Sequence, residues 1–103
     1  SEDWYKQNNE IYRKRRDKVV DVLNSIGVNT TKPKGGLYIW TPVPQGYTSA
    51  QFAEKLLNEA NVVVTPGNGY GDAGEGYIRL SLTIPDDQID EGLRRISKIR
   101  VSS

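Results

Sequence analysis

The chain has 103 residues and balances Lys+Arg 14 against Asp+Glu 13 for a net charge of +1, so one domain with a modest core is expected and no field recruits nucleic acid or an anionic membrane. Cysteine and histidine are absent, which excludes disulfides, thiolate catalysis, Ser-His-Asp triads and histidine-ligated zinc. No apolar run is long enough to span a bilayer and the start has no signal-peptide pattern; the lack of cysteine fits a reducing, cytoplasmic setting, and the lack of methionine even at position 1 reads as a start inside a longer protein.

Ser1 can cap a helix, with Glu2 and Asp3 at its positive end. Trp4, Ile11, Tyr12, Val19, Leu23 and Ile26 recur at helical spacing up to Gly27, which predicts one long amphipathic helix. The run Arg13-Lys14-Arg15-Arg16-Asp17-Lys18 wraps around this helix and reads as a solvated face. A turn over Lys32-Pro33-Lys34-Gly35-Gly36 leads to a predicted strand at Leu37-Tyr38-Ile39-Trp40. Pro42 and Pro44 cannot continue a central strand. Thr48-Ser49-Ala50-Gln51 has capping-box form and opens a second helix with Phe52, Ala53, Leu56, Leu57 and Ala60 on its apolar stripe. Val62-Val63-Val64-Thr65 is β-branched and predicts a strand ended by Pro66-Gly67.

A glycine-rich loop over 67–76 then delivers the chain to a strand carrying Tyr77, Ile78, Arg79, Leu80 and Ser81. Pro85, Asp86 and Asp87 start a last helix with Ile89, Leu93, Ile96 and Ile99 inward, and Arg94, Arg95, Lys98 and Arg100 near its negative end. The order α-β-α-β-β-α predicts an α/β (α+β) two-layer sandwich, a small mixed sheet of three to four strands with helices on one face. The whole chain, 1–103, reads as a single domain.

Candidate chemistry is sparse. Gly69-x-Gly71-x-x-Gly74 matches the dinucleotide fingerprint in form, but a strand follows where the pyrophosphate needs a helix N-terminus. The paired acids Asp86-Asp87 and Asp90-Glu91 fall in the first turns of a helix, where capping explains them better than acid–base work. Tyr38, Trp40 and Tyr77 share one sheet face; without a basic surplus or an RNA-binding motif, they read as a face that packs on something else. Arg79 lies on that face. A strand arginine usually points to water. The alternative is a planar, forked cation held rigidly for a carboxylate.

Read together, Lys32-Pro33-Lys34-Gly35-Gly36-Leu37-Tyr38-Ile39-Trp40, Gly46-Tyr47-Thr48-Ser49, Val62-Val63-Val64-Thr65-Pro66-Gly67 and Gly74-Glu75-Gly76-Tyr77-Ile78-Arg79-Leu80-Ser81-Leu82-Thr83 resemble the C-terminal small domain of class I/II (fold-type I) pyridoxal-phosphate-dependent aminotransferases. Tyr12, Arg15, Arg16 and Asp17 are also similar to that pattern, and the Gly-Tyr-Thr-Ser and Ser-Leu-Thr-Ile-Pro-Asp stretches lean toward the LL-diaminopimelate branch. The resemblance implies that Arg79 binds the substrate α-carboxylate and positions an amino acid or a 2-oxoacid. It also implies a homodimeric full-length enzyme in lysine biosynthesis. The cofactor, the Schiff-base lysine and the phosphate ligands would then belong to a large domain outside this chain, since no lysine here stands in a Ser-x-x-Lys context. The chain itself is expected to hold no catalytic, cofactor-binding or metal-ligating residue and to be inactive alone. The alternative is a free-standing ligand-binding or interaction module that uses the Tyr38/Trp40/Arg79 face.

Overall fold

The computed structural model describes residues 2–31 and 36–99; for residues 2–8, 70 and 72 it describes the backbone alone. Ser1, the first four residues of the predicted 32–36 turn, the side chains of Trp4 and Tyr70, and Arg100 therefore lie outside the described parts.

The elements follow the predicted order. Helix α1 spans Glu2–Ser25, strand β1 Tyr38–Pro42, helix α2 Ser49–Ala60 and strand β2 Thr65–Pro66. Two short 3-10 turns, Gly67–Tyr70 and Asp72–Gly74, precede strand β3 at Tyr77–Ser81, and helix α3 closes the chain at Asp86–Ile96. The sheet order is β1-β3-β2. Both seams are antiparallel, so the outer strands run the same way with β3 reversed between them. β1 is an edge strand, which is why it tolerates Pro42.

Each boundary has a local cause. At the end of α1, Gly27 takes a positive φ of 93° and the Val28 amide reaches back to the Leu23 carbonyl at 2.9 Å, closing the last turn as a glycine-terminated helix does. At α2, the Thr48 hydroxyl accepts from the Gln51 amide at 3.1 Å while the Gln51 side chain accepts from the Thr48 amide at 3.0 Å. This is the capping box the sequence predicts, and Asn61 ends the helix in the left-handed region at φ 55°.

One core lies between the sheet and the helices. β1 and β3 contribute Ile39, Ile78 and Leu80, α2 contributes Phe52 and Leu56, α1 contributes Val19, Val20 and Leu23, and α3 contributes Ile89, Leu93 and Ile96. Ile99 is buried as well, as its spacing predicts. Two stripe residues lie outside the core. Ile11 is exposed, and so is Leu57, which sits one residue past the inward line Phe52, Leu56 and Ala60. Thr30 and Thr41 are buried with their hydroxyls 2.5 Å apart, so each polar atom has a partner.

Two sequence readings change in detail. β-branched residues 62–64 do not pair; only Thr65 and Pro66 join the ladder, opposite Arg79 and Ile78. The basic run on α1 is not uniformly solvated. The Arg15 side chain is 13% exposed, and its guanidinium donates to the Leu82 carbonyl at 2.8 Å and to Asp86 at 2.7 Å.

Candidate functional site

Arg79 sits in the middle of the central strand, directly opposite Trp40 of β1 and Thr65 of β2. A strand flanks it on each side, and its neighbours in sequence, Ile78 and Leu80, are anchored in the core on the other face. The mount is therefore stiff on three sides. On the outward face Tyr38, Trp40 and Tyr77 are exposed while Arg79 is half-buried among them. Tyr38 lies diagonally across the seam, because it pairs with Ser81. Its ring centroid is 4.2 Å from the Arg79 guanidinium carbon, within cation–π range. The arrangement gives a forked donor backed by an aromatic ring, on an aromatic face.

The loop before β3 is built around a backbone crossing. A Cβ at Gly67 would lie 2.1 Å from the Gly74 carbonyl oxygen, and a Cβ at Gly74 would lie 2.1 Å from the Gly67 carbonyl oxygen. No side chain fits at either position. Past the crossing, the buried Ser49 hydroxyl accepts from the Gly76 amide at 2.7 Å and the Tyr77 amide at 3.1 Å. The Glu75 carboxylate accepts from the Ser49 amide at 3.0 Å. The N-terminus of α2 is thus joined to the start of the arginine strand. The sequence marks Ser49 only as part of a cap; its second role depends on a partner 27 residues away.

The acid pairs have structural employment. Asp86 receives Arg15, whose hydrogen bond holds the carboxyl below the usual range. Asp87 accepts from the Gln88 amide, and Asp90 faces Lys18 at 3.1 Å. Glu91 bridges Arg94 and Arg95; the Arg94 hydrogen bond leads in holding its carboxyl down at about 2. Among the described residues no three His, Cys, Asp or Glu side chains gather to hold a metal. No helix among them is long and apolar enough to cross a membrane.

The pyridoxal phosphate implied by the resemblance needs an amine for its aldehyde and donors for its phosphate. The amides at the start of α2 go to Thr48 and Glu75, and α3 opens with two acids. Lys18 and Lys55 are paired with Asp90 and Glu59. These lysines and amides are engaged within the domain and do not fit the group.

Residues 1–96 match the family described as aminotransferase class I and II. An LL-diaminopimelate aminotransferase of Dehalococcoides mccartyi is 55% identical over 103 residues, all of this chain but 26% of that protein. One of Moorella thermoacetica is 49% identical over 89 residues, 86% of this chain and 23% of that protein. Among solved structures, an aromatic aminotransferase from Pyrococcus horikoshii superposes with a TM-score of 0.79 at 40% identity, over 86% of this chain and 24% of that one. The chain thus spans about a quarter of the length of the curated relatives it matches. On the family match over nearly its whole length, with the fold and the arginine strand in place, the chain belongs to the class I and II aminotransferases.

Proposed function

We propose that residues 1–103 are one domain, the C-terminal small domain of a longer pyridoxal-phosphate-dependent aminotransferase, in which Arg79 binds the α-carboxylate of the amino-acid or 2-oxoacid substrate. The observation that carries the reading is Arg79 itself, set on the central strand opposite Trp40 and backed at 4.2 Å by Tyr38. A carboxylate meeting its fork gains two parallel charge-assisted hydrogen bonds. The rigid mount then fixes the substrate's orientation, the positioning share of catalysis. The cofactor supplies the electron sink for chemistry at the substrate's Cα; its lysine and phosphate ligands belong to the remainder of the enzyme. The names of the relatives favour LL-diaminopimelate as amino donor, within lysine biosynthesis. The full-length enzyme is read as a cytoplasmic homodimer, and this chain alone as inactive.

In the full-length enzyme, Arg79→Ala should lower kcat/KM for the amino-acid substrate about 10²–10³-fold, the scale of a lost charged pair, with little change in unfolding midpoint. Arg79→Lys should recover only part, because a lysine keeps the charge and loses the fork. Near-normal turnover by Arg79→Ala overturns the assignment. Titrating the chain alone with pyridoxal phosphate should produce no bound-cofactor absorbance band. The competing reading, a free-standing module using the same face, requires saturable binding of a peptide or small anion by the chain alone; flat calorimetry removes it.

A further inference from the structure

On the inward side of helix α1 stands a charge. Tyr12, Arg15, Val19 and Leu23 follow one stripe at helical spacing, and Tyr12, Val19 and Leu23 lie in or against the core. Arg15 shares their side. Its side chain is nearly buried, and its guanidinium carbon lies 5.6 Å from the Tyr12 ring centroid. Lys18, one turn on, differs: it meets Asp90 at 3.1 Å with both side chains about half exposed.

The Arg15 fork reaches two elements at once. Its Nη1 donates to the Leu82 carbonyl at 2.8 Å and its Nε to the Asp86 carboxylate at 2.7 Å. Leu82 directly follows β3 and Asp86 is the first residue of α3, so one planar group closes the turn between them. Leu82 is also held elsewhere: its amide donates to the Leu37 carbonyl at 2.8 Å and its side chain is buried. Arg79 lies three residues back along extended chain, about 10 Å away, with no positive-φ residue between to act as a hinge.

As a stabilising device the contact is poor. Asp86 is exposed, so its ion pair contributes little. Taking a guanidinium out of water has a cost that an apolar side chain at an inward position does not. What the fork supplies is two fixed directions from one rigid plane.

We propose that Arg15 is a positioning residue for the substrate carboxylate: it sets the end of the central strand against α1 and so fixes the reach and direction of Arg79. This deepens the reading of Arg79 as the carboxylate ligand and rests on it. Ser49 ties the strand at its start and Arg15 just past its end, so Arg79 lies between two fixed points.

Steady-state kinetics on the full-length enzyme, well below its unfolding midpoint, test the proposal. Arg15→Met keeps the bulk and loses the fork. It should raise KM for the amino-acid substrate about 10- to 100-fold, the scale of a misplaced binding group, with a smaller change in kcat. Arg15→Lys should fall between, because one ammonium replaces the fork. In an Arg79→Ala background, Arg15→Met should lower kcat/KM no further, whereas a purely structural role lowers it equally in both backgrounds. Lys18→Met removes the neighbouring ion pair without touching the strand and should leave KM unchanged. An unchanged KM in Arg15→Met, an equal loss in the Arg79→Ala background, or an equal rise in Lys18→Met each overturns the proposal. If Arg15→Met does not fold, Arg15→Lys takes its place in the same cycle. Near-normal turnover by Arg79→Ala removes the carboxylate site itself; a crippled Arg79→Ala beside a silent Arg15→Met removes only the positioning role.

Discussion

Arg79 lies with its guanidinium carbon 4.2 Å from the ring centroid of Tyr38, across the seam between the central strand and β1. The ring covers one face of the guanidinium plane. Tyr38→Ala in the full-length enzyme is expected to raise KM for carboxylate substrates about 3- to 30-fold, the scale of a cation–π contact, with a smaller effect on kcat. Tyr38→Phe keeps the ring and should behave nearly as the parent. Steady-state kinetics on the three proteins check this.

Gly67 and Gly74 should tolerate no side chain. Alanine at either is expected to cost more than about 3 kcal/mol, because the backbones must separate to admit a Cβ; denaturant unfolding measures it. Gly69→Ala is the control. A Cβ there meets nothing within 4 Å, so its effect should stay within about 0.5 kcal/mol.

Ser49→Ala removes the acceptor for the Gly76 and Tyr77 amides at the buried junction of α2 and β3. A loss of about 1–3 kcal/mol is expected. Faster hydrogen exchange should be confined to residues 75–77 and the first turn of α2. Unchanged stability would mean that water replaces the hydroxyl.

Stability should fall in acid. The Glu91 carboxyl is held down from 4.5 to about 2, first by the Arg94 hydrogen bond, and Asp86 is lowered chiefly by its hydrogen bond from Arg15. A depressed folded-state value stabilises above the unfolded one and loses that contribution as pH drops through the folded one. The unfolding midpoint should therefore decline between about pH 4.5 and 2. Glu91→Gln should flatten part of the decline, and added salt should weaken it because the Asp86 and Glu91 side chains both reach solvent.

What the sequence made legible was local. The Thr48–Gln51 cap, the Gly27 stop and the inward line Ile89, Leu93, Ile96 depend on neighbours within a few residues, and all stand where expected. The Arg79 strand was legible because period-two alternation runs through its five residues. Arg15 was not: its partners Leu82 and Asp86 are 67 and 71 residues away, so nothing near it distinguishes a clamp from a solvated cation. The valines at 62–64 were legible in propensity but not in pairing, since a ladder needs a neighbour that propensity does not name.

The single hydroxyl of Ser49 has a mechanical consequence. It binds the first residue of α2 to the first residue of β3, and the Gly67–Gly74 crossing locks the intervening loop onto itself. Helix, loop and arginine strand thus form one lever without an internal joint. Any swing that brings the guanidinium closer to a ligand must carry all three together, so its pivot lies outside residues 49–81.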